Sequence, residues 1–349
     1  MLLRSTWSTY LKNDSSIIEH DNSQSCMKIL FISAFHKSFI QDDIDVLEKH
    51  FAVRKNIGHG LPAILKIIFN SLTADVVFCW FASIYAFFGV AVGRLMGLKS
   101  IVIVGGVDVA NDKELGYGIW LNPWKARLIR YVFHHATHIL VVDPSLQKKA
   151  IELAGYEGRN ISYLPTGYDC NFWKNIGEKE SSVLTVAMVK DERTFRLKGI
   201  DILIEVARNM PDINFVVVGT DPDVASQYQP SLNIEFIEPV SREKLLPFYQ
   251  RSKVYCQPSR HEGLPNALCE AMLCGCIPVA TEVGGSPTAV GDAGFLVPPA
   301  DSTALMIGLR DALCTNESVG MKARARIVAL FPDEKRESEL VRLIRGERK

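Results

Sequence analysis

The sequence predicts an α/β protein built as two doubly wound parallel-sheet domains. Short apolar runs without polar alternation, the mark of strands covered on both faces, recur along the chain. Amphipathic stretches long enough for helices separate them, and this strand–helix alternation implies right-handed crossovers in open sheets. The pattern runs twice, interrupted by a turn-rich and then charged stretch, Leu164-Pro-Thr-Gly-Tyr-Asp-Cys-Asn-Phe-Trp173 followed by residues 174–180.

Residues 1–26 are polar and irregular, lack the basic start and apolar run of a signal peptide, and read as a tail. Met27 opens the first domain, expected over residues 27–175, with strands at Lys28–Ser33, Val76–Trp80, Ser100–Val104 and Ile139–Val142. Helices fit Ile40–His50, Leu61–Phe69, Ser83–Met96, Pro123–His135 and Pro144–Ala154. The second domain, expected over residues 176–332, has strands at Val183–Val189, Asn214–Gly219, Ile234–Ile237, Val254–Gln257 and Pro278–Ala280. Its helices fit Ile200–Asn209, Ser241–Arg251, Pro265–Cys274 and Ser302–Leu313, and a last helix spans Asp333–Arg345 within residues 333–349.

At 349 residues, with 48% hydrophobic and 22% charged side chains, the chain can bury sizeable cores and is not of disordered composition. Its 39 basic and 39 acidic residues balance, which argues against affinity drawn from nucleic-acid phosphates. No Gly-x-Gly-x-x-Gly follows a strand, so a dehydrogenase reading lacks support. The eight cysteines fall largely in apolar runs and read as reduced thiols. Cys269, Cys274 and Cys276 do not have zinc-ligand spacing, and no metal is expected. Val76 to Gly93 is uncharged and close to the shortest run that spans a bilayer. Serine, tyrosine and glycine interrupt it, favouring a buried strand followed by a helix.

The chemistry concentrates between Gln257 and Ala280, a strand–loop–helix–strand segment in which Pro265 suits a helix start and Gly275 a helix end. From Glu262 to Ala280 the only charged residues are Glu262 and Glu270. A carboxylate on an apolar helix must find donors, because burying it unpaired is costly. The paired hydroxyls of a ribose or hexose are such donors, and the start of the helix offers free N–H groups to a phosphate. A buried arginine or backbone donors would satisfy Glu270 equally well, and both readings stand.

Glu262-Gly-Leu-Pro-Asn-Ala-Leu-Cys-Glu-Ala-Met272, followed by Gly275-Cys-Ile-Pro-Val279, resembles the signature of the group 1 (family 4-type) retaining glycosyltransferases of GT-B fold. Lys198-Gly199 with Leu203, Phe215–Gly219, Pro258-Ser259, Gly284-Gly285, Gly294–Val297 and Pro165–Asp169 extend the likeness over most of the chain after Met27. The resemblance implies transfer of a sugar from a nucleoside-diphosphate sugar, the co-substrate, to a glycan or lipid-linked acceptor. It implies no metal and no other cofactor. Glu262 would contact the donor sugar, Gly263, Leu264 and Pro265 would bring backbone to the sugar and phosphate, and Glu270 would hold the ribose. Lys198 would neutralise the leaving diphosphate. Gly219 ends the central strand beside the nucleotide. The arginine such enzymes place ahead of the lysine is absent, leaving Lys190, Arg193 or Arg196 to substitute.

In the first half Val104-Gly-Gly-Val-Asp108 resembles the family's His-Gly-x-Asp loop, with Gly105 in the place of the histidine. Asp108 either orients the acceptor hydroxyl or caps a turn. The usual glycine-rich loop after the first strand is replaced by Ala34-Phe-His-Lys-Ser38, where His36 is an acceptor-side candidate. Aromatics and Lys125, Arg127 and Arg130 share the helix starting at Pro123, a pattern of either an ordinary surface helix or one lying on anionic lipid. The expected setting is cytoplasmic, with peripheral contact at the inner face of the cell membrane. A catalytically silent nucleotide-sugar-binding subunit and a GT-B epimerase are the alternatives on the same fold.

Overall fold

The computed structural model describes residues 27–228 and 232–347; the tail expected over residues 1–26 lies outside them. The strands are β1 (Lys28–Ser33), β2 (Ala52–Ile57), β3 (Val76–Trp80), β4 (Lys99–Val104), β5 (His138–Val141) and β6 (Ile161–Tyr163), then β7 (Glu180–Val189), β8 (Asn214–Thr220), β9 (Ile234–Ile237), β10 (Ser252–Gln257), β11 (Ile277–Thr281) and β12 (Phe295–Val297). They form two six-stranded parallel sheets, ordered β2-β1-β3-β4-β5-β6 and β12-β11-β10-β7-β8-β9. The expected α/β class with two doubly wound sheets is what the chain adopts.

Five helices cross over the first sheet: α1 (Ser38–His50), α2 (Leu61–Ser71), α3 (Ile84–Met96), α4 (Pro123–His135) and α5 (Pro144–Ala154). Those of the second half are α6 (Glu192–Leu197), α7 (Ile200–Arg208), α8 (Pro222–Ala225), α9 (Arg242–Arg251), α10 (Asn266–Leu273), α11 (Ser286–Val290), α12 (Ser302–Cys314) and α13 (Ser318–Leu330), with α14 (Asp333–Arg345) last. Starts and stops follow local chemistry. The hydroxyl of Ser83 accepts the Ala86 amide at the head of α3, and Asn122 does the same for Lys125 at the head of α4.

Three strands the apolar pattern did not reveal, β2, β6 and β12, are all sheet edges. An edge strand is covered on fewer sides, so β2 tolerates Arg54 and Lys55, both exposed. The middle strand β3 is the opposite case, buried at all five positions. Val76–Trp80 is therefore a core strand and α3 its crossover; no helix among the described residues is long and apolar enough to cross a membrane.

Each sheet reverses direction once, between β1 and β3 in the first and between β7 and β10 in the second. Ligands of open α/β sheets bind beyond the strand carboxyl ends at such switch points. The loops leaving β7 and β10 there carry Lys198 and Glu262, and those leaving β1, β3 and β4 in the first sheet face them.

The last helix α14 returns to the first sheet and packs on α1. Its Arg336 is buried and grips both oxygens of buried Asp43, at 2.6 and 2.7 Å, and the Pro165 carbonyl at 2.6 Å. Asp43 also accepts the Trp80 indole N–H at 2.7 Å. Removing one partner of such a pair leaves an uncompensated buried charge, which costs about 3–5 kcal/mol. Arg336→Met should lower unfolding stability by that order in urea titrations. Adding Asp43→Leu should recover part of the loss; an unchanged midpoint in the single variant would refute the role given to the pair.

Candidate functional site

The two halves meet across a cleft of about 380 Å³, within the usual size of small-ligand sites. Of the residues picked from the sequence, Lys198, Gly219, Glu262, Gly263, Leu264, Pro265 and Glu270 all line it. Lys198 lies just past α6, and its ammonium donates to Glu262 Oε1 at 2.6 Å. Both side chains are largely enclosed, 24% and 10% exposed, so this is not a weak surface pair. The Gln257 amide donates to the same oxygen at 2.9 Å and is itself held by the buried Tyr255 hydroxyl at 2.8 Å. Thus a chain running out of β10 sets the direction of the Glu262 carboxylate.

Three contacts of Arg260 fix the lysine loop against the glutamate loop. Arg260 clasps both carboxylate oxygens of Asp201 on α7, at 2.9 and 2.7 Å, and its guanidinium also reaches the Arg196 carbonyl. Its backbone amide donates to the Leu197 carbonyl at 2.8 Å.

Glu270 lies one helical turn inside α10, only 8% exposed. It accepts from the Tyr249 hydroxyl at 3.1 Å. Burial pushes its pKa up to about 7, although the nearby Arg242 guanidinium and the Tyr249 bond pull the other way. The structure gives the carboxyl a tyrosine partner and an arginine neighbour, and it also lines the cleft. Pro265 is the N-cap of α10 rather than its first residue and supplies no side-chain cap. The first residues of this helix, Asn266 and Ala267, line the cleft, and the free amides of a helix start suit a phosphate.

The first domain closes on this site. The Gly105–Gly106 turn touches Gly263 so closely that a Cβ on Gly263 would overlap the Gly105 carbonyl. Gly105 has its own constraint: a Cβ there would run into the ring of Phe81, which itself sits at φ 68°. No side chain fits at position 105 while Phe81 holds that place, which accounts for the missing histidine. His261, beside Glu262, meets Asp112 of the first half at 2.5 Å.

Two expectations need correction. Asp108 is fully enclosed and accepts the amides of Ala82, Gly105 and Gly106 at 3.1, 3.3 and 2.8 Å. Burial raises its pKa to about 6 against those bonds. It caps the turn, the second of the two readings open from the sequence, and its enclosed carboxyl is not among the residues lining the cleft. Arg196 is exposed on α6 and outside the cleft lining, as are Lys190 and Arg193. The first half's contribution to the positive lining is instead Lys37, whose pKa is lowered by burial and by Lys190. His36 points away to Gln41, at 2.7 Å. Sequence reasoning passed over Lys37, Gln257 and Tyr249; only the position of Lys37 in the loop after β1, at the switch point, could have drawn notice.

Comparison with known proteins now places this geometry. Residues 181–314 match the family described as glycosyl transferases group 1. The D-inositol 3-phosphate glycosyltransferase of Mycolicibacterium smegmatis is 33% identical over 188 residues, 49% of this chain and 43% of that protein. That of Mycolicibacterium gilvum is 29% identical over 148 residues, 39% of this chain and 34% of its own length. The matches thus span less than half of these relatives. Among solved structures, Anabaena Alr3699/HepE in complex with UDP-glucose superimposes with a TM-score of 0.75 at 15% identity, covering 92% of this chain and 100% of that one. Sucrose-phosphate synthase from Thermosynechococcus elongatus gives 0.74 at 16% identity, covering 92% and 98%. The fold is GT-B, the two-domain glycosyltransferase architecture. The family match, residues 181–314, lies within the second half, the half that carries Lys198, Glu262 and Glu270.

The raised Glu270 pKa gives a pH test. Its folded value, about 7, lies above its ordinary 4.5, so the folded state holds a proton that the unfolded state has lost. Stability from this group is present below pH 4.5 and is lost as pH rises to about 7. The stability of the wild type relative to Glu270→Gln should therefore fall across that window and level off above it. Parallel curves in chemical denaturation would contradict an enclosed, raised carboxyl.

Proposed function

We propose that the chain transfers a sugar from a nucleoside-diphosphate sugar to a hydroxyl of a glycan or lipid-linked acceptor, with retention, in polysaccharide or glycoconjugate assembly. The nucleotide sugar is the co-substrate, and neither metal nor other cofactor takes part. The enzyme works on the cytoplasmic side in peripheral contact with a membrane. One observation carries the reading: a lysine–glutamate pair, a helix start without a side-chain cap and a buried glutamate line one cleft, the groups that phosphate, sugar and ribose recognition require. A relative named as a glycosyltransferase and a structural neighbour in complex with UDP-glucose support it.

In this mechanism the ribose hydroxyls donate to Glu270, and the diphosphate lies over the amides of Asn266 and Ala267. Lys198 gives up part of its bond to Glu262 to meet the negative charge that grows as the sugar–phosphate bond breaks, a contact strongest in the transition state. Glu262, aimed by Gln257, takes the hydroxyls of the departing sugar. The acceptor hydroxyl attacks from the face the diphosphate leaves, its proton passing to the departing phosphate oxygen as the glycosidic bond forms, so positioning replaces a protein nucleophile. The Gly105–Gly263 contact closes one wall of the cleft and keeps water from the sugar carbon.

Melting temperature with UDP, GDP, ADP or CMP, for wild type and Glu270→Ala, tests the donor site. One nucleotide should raise it with concentration in the wild type and much less in the variant. Stabilisation equal in both would remove Glu270 from ribose binding. A nucleotide that binds, with no product on any glycan or lipid-linked acceptor, would instead favour the silent subunit.

A further inference from the structure

The crossovers α2, α3 and α4 lie side by side on one face of the first sheet. Together they contain no Asp or Glu, but carry Lys66, Arg94, Lys125, Arg127 and Arg130. In a chain whose charges balance overall, three adjacent surface helices without an acid are a marked local excess of positive charge. The second anomaly is apolar. Helix α2 seats Ala63, Ile67 and Ser71 on the sheet, and its opposite side presents Leu61, Leu65, Phe69 and Leu72. Phe69 is 67% exposed and Leu95, at the end of α3, 87%. Trp124, half exposed at the start of α4, has the Lys125 ammonium 5.8 Å from its ring.

Apolar side chains that project singly are ordinary, but a continuous outward stripe marks a binding surface. The charge around this one selects the occupant. We infer that the α2–α4 face is a membrane-docking surface for an anionic lipid bilayer, with Leu61, Leu65, Phe69 and Leu72 entering the headgroup–acyl boundary and the five cations meeting lipid phosphates. Leucine, phenylalanine and tryptophan beside Lys and Arg are the composition that lies in such an interface. Each basic residue near a negative leaflet strengthens binding several-fold. The helices start at the strand carboxyl ends, so Leu61 and Trp124 sit at the cleft end of the face, and a docked enzyme brings its cleft beside the bilayer. This places the membrane contact of the proposed function on α2 and α3 as well as α4.

Flotation of the full chain with vesicles of phosphatidylcholine, alone or with phosphatidylglycerol, tests the docking. The wild type should bind the anionic vesicles at least about ten-fold better than the neutral ones, and high salt should weaken this. Leu65→Glu with Phe69→Glu, and separately Lys125→Glu with Arg127→Glu, should each lower binding by about ten-fold or more. Both pairs are at the surface and should leave melting unchanged. Glu270→Ala should bind vesicles like the wild type, which separates failure of docking from failure of the donor site. Absent binding by the wild type, or equal binding by the Leu65/Phe69 variant, would overturn the inference. So would a dimer that the same variant splits, which would assign the face to a second copy. Binding gained only on deleting residues 1–26 would assign it to that segment.

Discussion

The cost of enclosing two carboxylates organises this molecule. Glu262 and Glu270 stand in a stretch of the chain with no other charge, so every donor they need must come from elsewhere in the fold. Lys198 arrives on the loop after β7, Gln257 from the end of β10, and Tyr249 from α9. Such convergence requires the switch point of the second sheet, where the loops of β7 and β10 leave side by side. The Arg260–Asp201 clasp then locks the lysine loop to the glutamate loop. Without a ligand, Glu262 is satisfied by Lys198, whereas Glu270 is under-solvated enough to hold a proton near neutrality. Under the proposed function, a substrate bringing paired hydroxyls and a diphosphate would relieve both conditions.

Apart from Lys37, the first domain contributes walls rather than charge to the cleft. Gly105 and Gly106 press against Gly263, and the contact leaves no room for a Cβ. Phe81 occupies the space a side chain at position 105 would need, while buried Asp108 ties the turn together. Departures from the family pattern on this side are thus linked: an aromatic ring in a left-handed conformation and a glycine beside it replace one polar side chain. The returning helix α14, anchored by Arg336 on Asp43, holds this domain in register with the second.

How far the sequence reveals all this depends on how many neighbours constrain each residue. Central strands such as Val76–Trp80 are enclosed on every side and read directly as apolar runs; β2, β6 and β12 are edges and keep polar residues. Glu262 and Glu270 are legible because they are the only charges between Glu262 and Ala280 and a charge there needs a reason; Lys198, in a charged loop, is legible only through the likeness of its Lys198-Gly199 element to the group 1 pattern. Asp108 and Arg196 mislead because their settings are decided by loop backbone: three amides enclose the one, and a short helix turns the other to solvent. Lys37 is invisible by composition, since a lone loop lysine carries no pattern. The outward stripe of α2 was hidden for a related reason: an apolar helix reads as core until the sheet shows which side is covered.

The central claim is that Lys198 serves the diphosphate while Glu270 serves the ribose. Calorimetric titration of the tightest-binding nucleoside diphosphate and its monophosphate, in wild type and Lys198→Ala, tests it most directly. A charge-assisted contact is worth about 1.5–3 kcal/mol. The variant should therefore lose roughly ten- to a hundred-fold in diphosphate affinity while binding the monophosphate almost as before. Equal losses for both nucleotides, or no loss for either, would contradict the account.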